Sequence, residues 1–170
     1  SLRTIDPSRA VDALSTAVEQ GGVIAQSKAI HALAQTQDQK SVTTLIASLK
    51  NSAWTTRMNA ANALGAARVP EAVDPLIPLL NDQEEQVRIT TASALGRIAD
   101  PRSLEPLIAA LKDPSPAVKA ASSSALGAVA DRRAVQPLLT LLGDADPYVR
   151  ASTARALGRI GDPLCGEPVI

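Results

Sequence analysis

The sequence predicts an all-α protein, an α-solenoid of two-helix repeats with a period of 31 residues. The first observation is a recurring phrase, which reads "NALGAARV", "SALGRIAD", "SALGAVAD" and "RALGRIGD". The second is the even spacing of its leucines, which are Leu64, Leu95, Leu126 and Leu157. The third is that prolines, glycines and turn residues recur in the same register. A fixed period in this range is typical of proteins that stack one helical unit on the next.

The first helix of each unit is predicted from stretches such as "AVKAASSSALGAV". From Val118 to Val129, its apolar and small residues lie at i, i+4, i+7, i+8 and i+11, which is one face of an α-helix. A capping residue followed by proline marks the start, as in Ser115-Pro116. Each copy also contains a glycine, namely Gly65, Gly96, Gly127 or Gly158. Glycine within a helix costs about 0.5–1 kcal/mol, so its repetition predicts a close backbone contact that a Cβ would block.

The second helix is predicted to be shorter, and its copies read "VDPLIPLL", "LEPLIAAL" and "VQPLLTLL". Proline is tolerated only in the first turn of a helix. We therefore expect Pro75, Pro106 and Pro137 in that first turn, after a short 3₁₀ lead-in. A turn aspartate then closes each unit, and these are Asp82, Asp113 and Asp144.

Composition limits the function classes. Hydrophobic residues make up 45% of the chain with no phenylalanine, so the core is expected to be aliphatic. Lysine plus arginine (17) equals aspartate plus glutamate (17), which gives no general charge for binding nucleic acid. A single cysteine fits a reducing compartment, and no apolar run approaches the ~20 residues of a membrane span. We expect a cytoplasmic protein without a nucleic-acid partner or a membrane span.

The unit A-L-G-x-I-x-D, P-L-I-x-x-L, D-x-x-x-x-V-R resembles the HEAT-like repeat of the phycobilisome-lyase type. The resemblance covers residues 1–170 as a single array of about five and a half units. It is strongest in "ALGRIADPRSLEPLIAALKD" and "ALGRIGDP", and weaker in residues 20–60, where Ala34 stands in place of the glycine. The resemblance implies first helices on the convex side, second helices on a concave side, and function through protein binding. Some members of the family are subunits of lyases that attach bilin chromophores to phycobiliproteins or remove them.

No catalytic residue is predicted. His31 stands in a polar column of the first helices, and Cys165 stands in a column of small packing residues. One histidine and one cysteine cannot form a closed zinc site, and no base is positioned beside the cysteine. The motifs of phosphate loops, serine hydrolases and metalloproteases do not occur. We expect no metal and no cofactor, with a bilin as the exception if the chain is a lyase subunit.

One basic residue recurs in every later unit, giving the column Arg57, Arg88, Lys119 and Arg150. This column could bind an anionic partner, or it could pair with the turn aspartates or with Asp100 and Asp131. Pairing is the favoured interpretation, because each basic residue has an acidic one at the same period.

The second helices provide the predicted binding groove. If Leu76, Ile77 and Leu80 point toward the core, then residues 78 and 79 point outward. Neither column contains a charged residue in any unit, which favours docking of a partner helix or loop, although curvature of the groove could also shield them. The predicted groove residues are Asp74, Pro78, Leu79, Glu105, Ala109, Ala110, Gln136, Thr140 and Leu141.

Two aromatic residues are candidate binding hot spots, Trp54 and Tyr148. For Trp54, a local role in covering the neighbouring repeat is equally consistent with its position.

The two ends of the sequence fall within the repeat pattern. Residues 1–6 align with the tail of a first helix, and "DPLCGEPVI" aligns with the start of a second helix. We expect both ends to lie within a repeat, and the last unit to fray or to associate end to end.

Two functions from different classes remain. The first is a non-catalytic scaffold or chaperone-type solenoid that binds protein partners on its second-helix face. The alternative is a subunit or fragment of a phycobilin lyase. Because no catalytic set is present in the sequence, the first function, without enzyme activity, is favoured.

Overall fold

The computed structural model describes residues 7–36 and 38–161. Within those ranges every regular element is helical and no strand occurs, which confirms the all-α prediction. The α-helices are α1 (Pro7–Gln20), α2 (Val23–Thr36), α3 (Gln39–Ser48), α4 (Trp54–Ala66), α5 (Val73–Leu76), α6 (Glu85–Ile98), α7 (Leu104–Ala110), α8 (Pro116–Val129), α9 (Val135–Leu139) and α10 (Pro147–Ile160). The expectations for Cys165 and for the two chain ends concern residues outside the described ranges.

From α2 onward, longer first helices alternate with shorter second helices, as predicted, whereas α1, a second helix, has 14 residues like α2. The first helices of the units are α2, α4, α6, α8 and α10, and the second helices are α1, α3, α5, α7 and α9. The predicted 3₁₀ lead-ins are present at Pro70–Ala72, Pro101–Ser103 and Arg132–Ala134. The prolines Pro75, Pro106 and Pro137 then lie at the third residue of α5, α7 and α9, as predicted.

Two second helices end earlier than their sequence pattern suggests. The helix α5 changes into a 3₁₀ turn at Ile77–Asn81, because Pro78 has no N–H to continue the α-helical pattern. The helix α9 changes into a 3₁₀ turn at Thr140–Gly143, where the Thr140 hydroxyl donates to the Pro137 carbonyl over 2.7 Å. In α7 the equivalent residue is Ala109, and the α-helix continues to Ala110.

The first helices begin with the predicted caps. The Ser115 hydroxyl accepts from the Val118 N–H, and the Asp146 carboxylate accepts from the Tyr148 and Val149 N–H groups. Proline occupies the first position of both α8 and α10, where no helical N–H partner is lost.

Successive first helices touch through the glycine column. A Cβ added to Gly65, Gly96 or Gly127 would lie 2.5, 2.7 or 2.8 Å from the Cα of Ala94, Ala125 or Ala156 respectively. These separations are far below van der Waals contact, so the prediction of a close backbone approach is confirmed for three junctions. At Gly158 no atom of a described residue outside its own helix backbone lies within 4 Å of the corresponding point. The glycine column therefore sets the spacing of the first-helix layer.

The core is aliphatic, as the composition predicted. The leucines of the recurring phrase are among its most buried residues, with Leu64, Leu95 and Leu126 at 0% exposure and Leu157 at 3%. The core also contains a row of hydroxyl side chains between the first helices. Two of these hydroxyls, on Thr91 and Ser122, are buried without a hydrogen-bond partner in the structure.

Replacing Ser122 by alanine is expected to raise the free energy of unfolding by about 1 kcal/mol, because it removes a buried hydroxyl that forms no hydrogen bond. The matched control is Ser123→Ala, since the Ser123 hydroxyl donates to the Lys119 carbonyl over 2.9 Å and lies 3.2 Å from the Thr153 hydroxyl. The control should lower stability by about 0.5–1.5 kcal/mol. Urea denaturation of both variants tests this, and a destabilised Ser122→Ala protein would show that its hydroxyl has a partner in solution.

Candidate protein-binding surface

The second helices present an uncharged row of exposed side chains. Pro78, Ala109 and Thr140 are exposed, as are Thr16 and Ala47 at the same position in the preceding units. This row, which we call the second-helix surface, repeats every 31 residues and belongs to the column that the sequence predicted to point outward.

The neighbouring column does not point outward, which corrects part of the predicted groove. Leu79 is 8% exposed and packs in the core, while Ala110 and Leu141 are half-buried. The physical reason is the helical repeat, because residue 79 lies three positions after Leu76 and therefore on the same side of the helix. Of the two predicted columns, the one that contains Pro78 is exposed to a partner.

The residues that flank the surface, Asp74, Glu105 and Gln136, are exposed as predicted, but the two acids are bound by arginines of the following unit. Asp74 lies 2.7 Å from Arg102, and Glu105 lies 3.8 Å from Arg133. Near the start of the array Asp12 pairs with Lys40 in the same way. These pairs form an ion-pair ladder that joins each second helix to the start of the second-helix segment in the next unit, and the sequence pattern alone did not indicate it. A separation of 28 residues between acid and base was the signal that could have revealed it.

The same arginines also bind the aspartates that precede the 3₁₀ lead-ins. Asp100 pairs with Arg102 and Asp131 pairs with Arg133, each over 2.9 Å. The hydrogen bonds from these guanidinium groups lower the pKa of both carboxyl groups below the usual aspartate value. Asp100 and Asp131 are therefore engaged within their own turns and are not partners of the basic column of the first helices.

Three members of that basic column pair instead with the turn aspartates, which confirms the structural interpretation for Arg57, Arg88 and Lys119. The fourth member, Arg150, donates to the carbonyls of Asp144 and Ala145 and, among the described residues, has no carboxylate in ion-pair distance. The Arg57 guanidinium binds both Asp82 carboxylate oxygens at 2.7 Å. Arg88 binds Asp113 at 2.8 and 3.2 Å. Lys119 pairs with Asp144 at the next junction.

Each arginine of this column also closes the turn before its own helix. Arg57 donates to the carbonyls of Asn51 and Ser52, and Arg88 donates to those of Asp82 and Gln83. The hydrogen bonds that Arg57 donates to Asp82 raise the pKa of Arg57 and lower the pKa of Asp82. Arg57, Arg88 and Lys119 therefore join adjacent units, and their charges are engaged by the turn aspartates.

The two aromatic candidates lie on first helices and do not belong to the second-helix surface. Trp54 is the first residue of α4 and is 39% exposed, and Tyr148 is the second residue of α10 and is 63% exposed. Both are therefore accessible at the starts of first helices.

His31 lies beside a cavity rather than in a cluster that could perform chemistry. The cavity has a volume of about 380 Å³ and lies between α2 and α4, with Gln35, Asn59 and Asn62 among its lining residues. Ala34 occupies the glycine column at this junction, so its Cβ stands where later helices make their closest contact. In the described parts of the chain no group of three or more metal-ligating side chains occurs. None of the described helices has the length and apolar character needed to cross a membrane.

The alternating helices, the glycine contacts and the inter-unit ion pairs define an α-solenoid of two-helix repeats. The chain belongs to the HEAT-repeat family, whose model, described as HEAT repeats, matches residues 42–115 and 104–164. The repeat type that the sequence indicated is thereby confirmed. No curated protein sequence matches this chain.

Several solved structures share the fold. The complex of CpcE and CpcF of phycocyanin lyase from Nostoc sp. PCC7120 is 24% identical with a TM-score of 0.80, covering 96% of this chain and 68% of that one. A designed armadillo repeat protein in complex with the peptide (KR)4 is 19% identical with a TM-score of 0.69, covering 90% and 82%. Human deoxyhypusine hydroxylase is 18% identical with a TM-score of 0.53, covering 92% and 87%. Because all three sequence identities are below 25%, these similarities are evidence for the fold alone.

Proposed function

We propose that this protein is a non-catalytic scaffold that holds a protein partner on its second-helix surface. The observation that supports this proposal is the uncharged exposed row at Pro78, Ala109 and Thr140, which continues from unit to unit. The acids beside the row are already paired with Arg102 and Arg133. A basic partner would have to compete with those arginines, so an uncharged or weakly apolar helix or loop fits the surface best.

Solved relatives in fold support protein binding as the kind of function. One of them is a complex of two lyase proteins, and another holds a peptide. For this chain, the absence of a bound cofactor and a cytoplasmic location remain predictions from its sequence.

The proposal is tested by adding charge to the exposed row. The double variant Ala109→Glu/Thr140→Glu should stay folded, because both side chains are exposed, and should lose at least about tenfold in affinity for the native partner, since two carboxylates would lose water on docking. The matched control is Ala151→Glu on the exposed side of α10, which should bind normally. A photo-crosslinking residue at position 140 identifies the partner, with position 151 as the comparison. Equal binding by the double variant and the wild type would exclude this surface.

The lyase alternative predicts a different result in one further assay. The protein is incubated with a phycobiliprotein that lacks its chromophore and with free bilin, and covalent attachment is measured on a denaturing gel. Attachment that depends on this protein supports a lyase subunit. Partner binding without any change in bilin attachment supports the scaffold.

A further inference from the structure

The charges of this neutral chain are distributed unevenly between its helices. The five first helices carry eight lysines and arginines but a single acid, Glu85. The basic residues are Lys28, Arg57, Arg88, Arg97, Lys119, Arg150, Arg155 and Arg159. Since the whole chain has 17 basic and 17 acidic residues, most of the acids lie in the turns and second helices.

Three of those eight basic residues are neutralised by turn aspartates, and the other five, which include Arg97, Arg155 and Arg159, have no ion pair within the described residues. Among the described residues, Arg97 donates to the Asn62 amide oxygen at 2.8 Å, which is a neutral partner. Arg155 donates to the Ala151 carbonyl and the Ser152 hydroxyl of its own helix. No carboxylate of the described ranges lies within ion-pair distance of Arg97, Arg155 or Arg159. Within the described ranges, these three arginines therefore contribute positive charge that no paired carboxylate offsets.

Arg97 and Arg159 line the same groove, although they lie on α6 and α10 with α8 between them. The groove has a volume of about 220 Å³. Ser93 and Ser124 add hydroxyl groups to its wall, and its floor consists of small residues that include Ala121 and Ala128. Ala128 occupies the same column as the two arginines, 31 residues from each, so no bulky side chain separates their guanidinium groups. The groove is basic at both rims and apolar along its floor.

The arrangement selects the kind of anion that it can hold. Neighbouring helix axes are about 8–10 Å apart, so the backbones of Arg97 and Arg159 are separated by roughly 16–20 Å. The middle of a helix offers no free N–H groups, so a single phosphate would have only the two guanidinium groups to bind it. Duplex nucleic acid is usually held by about 6–10 phosphate contacts, which is more than this groove supplies. Two separated carboxylates on one polypeptide fit better, because arginine binds carboxylates in bidentate fashion and methyl groups can pack against the glutamate stem.

We propose that the groove formed by Arg97, Arg159 and the small residues of α8 binds an acidic polypeptide segment through two of its carboxylates. This site lies on the first-helix layer and is separate from the second-helix surface. Both arginines lie in the last turns of their helices, α6 and α10, where a cation also interacts favourably with the helix dipole and so adds to stability. The test therefore measures stability and binding separately.

Fluorescein-labelled octaglutamate is the probe, and fluorescence anisotropy at low ionic strength is the readout. The wild type should bind it and should not bind octaglutamine, and affinity should fall as salt is added. The double variant Arg97→Gln/Arg159→Gln should lose at least about tenfold in affinity. The control Arg9→Gln/Arg132→Gln removes the same charge at two exposed positions and should change affinity less than about twofold.

A variant that leaves the charge intact provides an independent check. Ala128→Leu fills the floor between the arginines and should also weaken octaglutamate binding, with thermal unfolding showing that each variant remains folded. The proposal is overturned if the control loses as much affinity as the arginine variant, since the attraction would then be general. It is equally overturned if the wild type fails to bind octaglutamate, or binds a short DNA duplex more tightly under the same conditions.

Discussion

Replacing Asp82 by alanine is expected to lower the free energy of unfolding by about 2–3 kcal/mol, because it leaves the Arg57 guanidinium largely buried without its counter-charge. The two side chains are 16% and 9% exposed, and two 2.7 Å hydrogen bonds join them. The expected loss is below that of a fully buried pair, because some solvent still reaches Arg57. Urea denaturation measures it.

The control for this prediction is Asp12→Ala. Asp12 also pairs with a base of the next unit, but both partners are more than half exposed. An exposed pair contributes about 0–1 kcal/mol, so the control should remain close to wild type. If the two variants were equally stable, the turn aspartates would not be responsible for joining adjacent units.

The same ion pair makes stability depend on pH. Arg57 holds the pKa of Asp82 below its model-compound value of 3.8 in the folded state. A carboxyl with a lowered folded pKa contributes stability above its unfolded pKa and loses it as pH falls through the folded one. We therefore expect stability to decline from about pH 5 downward. In Asp82→Asn the decline should be shallower, and an unchanged slope would contradict this origin of the pH dependence.

Repetition explains why so much of the fold could be predicted from the sequence. A glycine that recurs inside a helix has few physical explanations, and Gly65, Gly96 and Gly127 all have the predicted backbone contact. Recurrent prolines likewise located the 3₁₀ lead-ins, since their chemistry restricts them to the first turn.

The candidate surface was predicted less completely, because it depends on how side chains lie between units. Leu79 was placed outward, although its position three residues after Leu76 turns it inward. The pairing of Asp74 with Arg102 joins α5 to the 3₁₀ lead-in of the next unit, and the columns of the sequence do not show how far an arginine reaches. The cavity beside Ala34 similarly follows from packing between α2 and α4.

Gly96→Ala and Gly158→Ala are expected to change stability in opposite directions, although they make the same substitution at equivalent positions. At Gly96 the new Cβ would lie 2.7 Å from the Cα and 2.8 Å from the Cβ of Ala125, so α6 and α8 must move apart. Leu95 and Leu126 lie beside this contact at 0% exposure, and the movement disturbs their packing. Such overpacking costs about 1–3 kcal/mol, which exceeds the roughly 0.5–1 kcal/mol that alanine gains over glycine within a helix.

At Gly158 only the gain in helix stability applies, because no neighbouring atom in the described part of the chain lies within 4 Å of the added Cβ. That variant should be about 0.5–1 kcal/mol more stable than wild type, whereas Gly96→Ala should be less stable. Urea denaturation gives the two differences, and hydrogen exchange should show the loss in Gly96→Ala first in α6 and α8, since each unit contacts only its neighbours. If both variants gained stability equally, the close contact between Gly96 and Ala125 would not constrain the array, and the spacing of the first helices would have to be set by the leucine core instead.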